Sequence, residues 1–144
     1  MTAVLLAHAT ATLAMAGLIW FVQGVHYPLI AEVGAEQTAA YAAAHARLTT
    51  WVVAPLMLVE AATALLLLAD RPPGVPAWQP WLGAGLLAVI WCSTALLQVP
   101  QHRALGCGFD PAAHRRLVRS NWIRTAAWTL RGGLALWMIE AAWR

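Results

Sequence analysis

Four apolar stretches separated by polar connectors organise this chain, from about Val4 to Tyr27, Leu48 to Ala69, Trp81 to Val99 and Asn121 to Trp143. Each is close to the roughly 20 residues that an α-helix needs to cross a bilayer. In hydrocarbon every backbone amide must be satisfied by a helix or a closed barrel, and the two-residue alternation of a barrel is absent. The pattern predicts an all-α fold, an integral membrane four-helix bundle that occupies residues 1–144 as one transmembrane domain. Its helices are expected over about 4–27, 40–69, 81–100 and 111–143.

The connectors carry their own punctuation. Pro28 in "GVHYPLI" is expected to end the first helix. Glu32 and Glu36 follow as solvated residues of a polar connector that runs into the second helix. "DRPPGVPAWQPW" is too rich in proline to be helical throughout and reads as a tight hairpin. Asp110 before Pro111 reads as an N-cap with proline at the first helical position. The two halves also resemble each other. "AAHARLTTW" at 43–51 parallels "AAHRRLVRSNW" at 112–122, and "IWFVQGVHYPL" at 19–29 loosely parallels "IWCSTALLQVPQHRAL" at 90–105. Two duplicated helix hairpins, related by an axis along the membrane normal, are the expectation.

Composition strengthens the membrane reading, since 61% of residues are hydrophobic and 10% charged, too little charge to cover a soluble surface. The basic residues are all arginine. Arg47, Arg103, Arg115, Arg116 and Arg119 lie in or beside the first and third connectors, whereas Arg71 and Arg144 flank the other side. The positive-inside rule then puts those two connectors in the cytoplasm and both termini outside. The same topology accounts for a pI near 9.5, so nucleic acid is not an expected partner. Met1-Thr2-Ala3 has no basic residue ahead of the apolar run, so a cleaved secretory signal is not expected. Cys92 and Cys107 are not expected to pair. Trp51, Trp78, Trp81, Trp122 and Trp143 lie near helix ends, as interfacial anchors do.

Candidate chemistry gathers at the arginine-rich end. His26, His45, His102 and His114 come one from each helix. Gln23 stands three residues before His26, and Gln98 four before His102, spacings that put each pair on one helical face. Neutral imidazoles on four helices suit a transition metal such as iron or copper, or a haem, with the glutamines orienting the ligands. A polar pocket without a metal, and plain interfacial hydrogen bonding, are the alternatives, because no His-x-x-x-His or Glu-x-x-His pair is present. His8 belongs to the opposite end and reads as interfacial. Glu60 lies deep in the second span, where a carboxylate is expensive unless paired, and Arg124 and Arg131 share a face of the fourth. An ion pair between Glu60 and Arg131, or Arg124, is expected, either as a helix lock or as part of a proton path. Asn121, three residues from Arg124, is placed to address the same ligand.

"GVHYPL", "QVPQHRAL" and "LVRSNWIRT" together resemble, in order and spacing, the anthrone oxygenase-like family of small bacterial and fungal four-helix membrane proteins. The resemblance implies a four-helix bundle and, as in a few members, oxygenation of a polycyclic phenolic anthrone. It places the family's polar position at the end of helix one on His26. The proline-plus-polar end of helix three falls on Pro100, Gln101 and His102, and the Arg-Thr of helix four on Arg124 and Thr125. The combined expectation is a multi-pass oxidoreductase of the bacterial inner membrane, acting on a hydrophobic small molecule that enters from the lipid bilayer. In it Arg124 and Asn121 hold a substrate oxygen and Glu60 sets charge or moves a proton. The histidines serve as metal, haem or proton-transfer groups, and a homo-oligomer is compatible with the sequence. The rival expectation is a non-enzymatic transporter, channel or structural subunit built on the Glu60–arginine pair.

Overall fold

The computed structural model describes every residue from Met1 to Arg144. Four helices make up the fold: α1 Thr2–Glu32, α2 Thr38–Ala69, α3 Trp78–Leu105 and α4 Pro111–Trp143. The first three are each long and apolar enough to cross a membrane. The fourth is the exception to the expected set of four apolar spans. Its inner seam is Leu117, Asn121, Arg124, Trp128, Arg131, Ala135 and Met138, all buried and spaced alternately four and three residues apart. That is the seam spacing of a left-handed helix bundle. Here it carries two arginines and an asparagine into the interior.

Both chain ends lie beside the α2–α3 connector. There Leu5, Leu67, Val75 and Met138 share one apolar cluster, and Gly74 lies against the backbone of Ala141. Gly74 has φ +84° and no room for a β-carbon in front of that carbonyl. Gly74→Ala is therefore expected to lower stability by more than ~1 kcal/mol, through backbone strain and steric conflict together, which thermal unfolding in detergent reads directly. At the other end Asp110 caps α4 as expected, its Oδ1 accepting the Ala112 N–H at 2.7 Å.

Pro28 does not end the first helix. A proline lacks an N–H, and its ring collides with the carbonyl four residues back, which ordinarily breaks a helix. Here the turn just ahead widens to i→i+5 pairing over Val22–His26, and the helix runs on through Pro28. The same device appears in α3, where a wide turn over Thr94–Gln98 precedes Pro100. In both helices the wide turn ends two residues before the proline. Turns of this kind re-aim side chains without breaking a helix.

α1 packs along α2 and α4, and α3 packs along α4. At the α1–α4 seam a β-carbon on Gly132 would stand 3.3 Å from Leu13 Cδ2, so the bare glycine permits close approach. The seam between α2 and α3 is looser. A cavity of about 400 Å³ opens there. Lipid-facing side chains dominate the outside, and all five tryptophans assigned as anchors are exposed.

Candidate functional site

The cavity is bounded by all four helices and has two unlike ends. Met15, Ile19, Met57, Leu58 and Trp128 make an apolar body, and Tyr27, His45, His102 and Arg124 make a polar end. The polar end lies toward the arginine-rich side of the bundle, and Leu58, Trp91 and Val99 on the wall are exposed at the α2–α3 face. No aspartate or glutamate lines it.

One directed chain of hydrogen bonds fixes Arg124. Gln23 Nε2 donates to the Val118 carbonyl at 3.2 Å, so its Oε1 is left to accept from Asn121 Nδ2 at 2.9 Å. That choice turns Asn121 Oδ1 toward Arg124, where it accepts from Nε at 2.9 Å and also from Nη2. The amide orientations follow because a backbone carbonyl can only accept. Nη2 donates as well to the Tyr27 hydroxyl at 3.0 Å. The Tyr27 hydroxyl also bonds His102 Nε2 at 2.9 Å, and with its oxygen accepting from arginine its own proton is available to that nitrogen. The guanidinium is thus locked along its Nε–Nη2 edge. Its Nη1 has only Thr94 Oγ1 at 3.4 Å, and both residues line the cavity.

Three of the four histidines converge. The rings of His26 and His45 stack with centroids 4.2 Å apart and planes 26° apart, and His102 lies 5.5 Å from His45. His45 is bonded to Thr49 one turn along α2. His114 is turned aside, with Nε2 donating to the Tyr27 carbonyl at 2.8 Å and its ring beside Phe109. The four expected metal or haem ligands therefore do not meet as one set: His26, His45 and His102 stand together and His114 stands apart. Stacked imidazoles hold their ring nitrogens in nearly parallel planes rather than aiming lone pairs at one point. The bond from Tyr27 already uses Nε2 of His102, and no three His, Cys, Asp or Glu side chains are grouped to hold a metal ion.

The glutamines also depart from their expected role. Gln23 serves Asn121 instead of His26, because the wide turn over Val22–His26 breaks the three-residue alignment. Gln98 accepts from Ser93, five residues back, a spacing that the wide turn brings into line, and donates to Ser120. Neither orients a histidine.

Glu60 forms the expected pair with Arg131, Oε1 to Nε at 3.0 Å, and both groups are fully buried. Thr12 donates to Oε1 at 2.8 Å, Trp128 donates to Oε2 at 3.0 Å, and Arg131 Nη1 reaches the Gly83 carbonyl. Glu60 does not line the cavity, and its bonds join α1, α2 and α4, with the bond from Arg131 to Gly83 adding α3, the helix lock that was one of its two expected roles. His8 is likewise buried rather than interfacial, bonded to Thr63 at 2.8 Å.

Three residues at the site were not singled out from sequence: Tyr27, Thr94 and Trp128. Tyr27 is the junction, since its hydroxyl and its carbonyl join Arg124, His102 and His114. The signal available was its position between a histidine and a proline at a helix-breaking point. No family model, curated protein or solved structure matches this chain.

Proposed function

We propose that this protein is a membrane oxidoreductase that takes a hydrophobic hydroxylated aromatic ketone from the bilayer through the α2–α3 seam and oxidises it with dioxygen. The observation that carries the reading is the Arg124–Tyr27–His102 chain at the polar end of a mostly apolar cavity. In that place Arg124 Nη1 holds the keto oxygen of the substrate. The acidic methylene of the same ring, across from the keto carbon, gives its proton to the Tyr27 oxygen as Tyr27 passes its own proton to His102 Nε2. The enolate is stabilised by a fixed cation in a site poor in water. Its electron pair then forms the new C–O bond to dioxygen. Loss of water, which takes the second methylene hydrogen and the proton held by His102, leaves a carbonyl. One dioxygen is consumed and one water is released for each CH₂ converted to C=O, so no separate reductant enters.

The anthrone oxygenase-like resemblance of "GVHYPL", "QVPQHRAL" and "LVRSNWIRT" supports this substrate class. So does the place of Arg124 and His102, the residues on which that resemblance falls. The duplicated-hairpin reading gains support from the matching wide turns ahead of Pro28 and Pro100. The arginine distribution orients the polar end toward the cytoplasm of a bacterial inner membrane, with both termini outside.

The test is dioxygen uptake by protein in lipid nanodiscs supplied with a hydroxylated anthrone. Uptake matched one to one by ketone product, and lowered by about 10²-fold or more in Arg124→Gln, is the expected result. Uptake no faster than in empty nanodiscs would remove the reading.

A further inference from the structure

Of the two arginines buried in the bundle, Arg131 has its carboxylate and Arg124 has none. Arg124 is 9% exposed, held rigidly along one edge, and its free edge borders a cavity with no acidic residue. An isolated cation within a membrane-embedded bundle is costly unless a counter-charge or water meets it. We infer that the cavity is a binding site for acidic amphiphiles, molecules with one ionised oxygen group on an apolar body, and that Arg124 supplies the charge they meet.

The layout of the cavity matches such a molecule. Along α1 the wall changes from Met15 and Ile19 to Tyr27, along α2 from Met57 to His45, and both sequences run from apolar to polar toward the arginine-rich end. A single-tailed acid lying in the adjacent leaflet has the same polarity profile, and it can slide sideways through the α2–α3 seam without turning over. About 400 Å³ lies within the range of small-molecule sites. Nη1 then takes the ionised oxygen, and the tail runs beside Trp128. The inference uses the same cavity as the proposed oxidation but does not depend on any reaction there.

The ionised group has two chemical sources, a carboxylate on an alkyl tail or an acidic phenol on a ring system. The experiment therefore has two arms, each an acid matched with its uncharged partner. In the first, a fatty acid brominated along its tail is compared with its methyl ester. In the second, a brominated acidic phenol is compared with its methyl ether. Bromine quenches tryptophan fluorescence at short range, and Trp128 and Trp91 line the cavity. Protein in zwitterionic nanodiscs is expected to be quenched by the acid, in at least one arm, at a concentration ten or more times lower than by its partner. That preference should survive in Arg124→Lys and vanish in Arg124→Gln. The wild-type comparison needs no variant to fold, so it stands alone if Arg124→Gln does not. Equal quenching by acid and partner in both arms overturns the inference, and so does a preference that persists in folded Arg124→Gln. A charge preference without dioxygen uptake leaves this site standing and removes only the oxidase reading. Uptake without charge preference does the reverse.

Discussion

Arg131→Met is expected to cost about 3–5 kcal/mol of unfolding free energy, the largest single effect on stability in this chain. Methionine keeps the apolar stem and lacks the guanidinium head, so the loss is chiefly electrostatic. It leaves Glu60 fully buried, with Thr12 and Trp128 as its remaining donors. A carboxylate so placed must stay charged without a counter-ion or take up a proton, and either is unfavourable. The double variant Glu60→Gln with Arg131→Met removes both charges and should recover much of the loss, since desolvating an ion pair offsets much of its attraction. Denaturant unfolding in mild detergent measures all three. A single-variant loss no larger than that of the double variant would show that the pair does not act as the lock. Because Glu60 and Arg131 lie off the cavity wall, acid binding by whatever fraction remains folded should be unchanged.

The parts of this structure that could be read from sequence are those where one physical rule leaves little choice. Charge in a membrane span must be paired, which narrows the partner of Glu60 to Arg131 or Arg124, and depth selects Arg131. Asp110 before Pro111 has one sensible reading as a helix start, and exposed tryptophans near helix ends need no partner. Asn121 and Arg124 come together because three residues along a regular helix is a contact distance. What sequence periodicity misread was irregular helix. Pro28 reads as a stop by local rules, yet the wide turns ahead of it and of Pro100 let both helices continue, making α1 and α3 longer than expected. The same turns moved Gln23 and Gln98 off the faces that regular spacing gave them. Tyr27 was hidden for a related reason. In "GVHYPL" a tyrosine beside a presumed helix end looks like an interfacial aromatic, and only the continued helix turns its hydroxyl inward to Arg124.

The four histidines illustrate a different limit. Their shared level in the bundle followed from topology, but level alone does not set the direction of a ring. His114 found the Tyr27 carbonyl just past the wide turn of α1, and His26 and His45 found each other's faces. What emerges is a polar end organised by hydrogen-bond direction, from the Val118 carbonyl through Gln23, Asn121 and Arg124 to Tyr27 and His102. Every group in that series is fixed by the one before it.

Tyr27→Phe tests whether that series performs chemistry. The ring still fills its place against the core, so the fold should persist with a loss of about 1–3 kcal/mol, the cost of leaving the former partners of a buried hydroxyl unsatisfied. Without the hydroxyl no oxygen stands between Arg124 Nη2 and His102 Nε2, and a substrate proton has no path to the imidazole. Dioxygen uptake with a hydroxylated anthrone is therefore expected to lose about 10²–10⁴-fold in kcat, the usual worth of a positioned acid–base group. KM should change little, because the ligand is held by Nη1, an edge that Tyr27 does not touch. Quenching by the preferred brominated acid should likewise stay near the wild-type value, which separates a lost proton path from a lost site. His102→Gln offers the matching control. It keeps a polar side chain beside the Tyr27 hydroxyl but no ring nitrogen that takes up a proton, so its kcat should fall with that of Tyr27→Phe, and the double variant should be no slower than either alone. If Tyr27→Phe turns over at the wild-type rate while Arg124→Gln does not, the proton leaves by another route. His45, the other imidazole on the cavity wall, would then be the base to replace next.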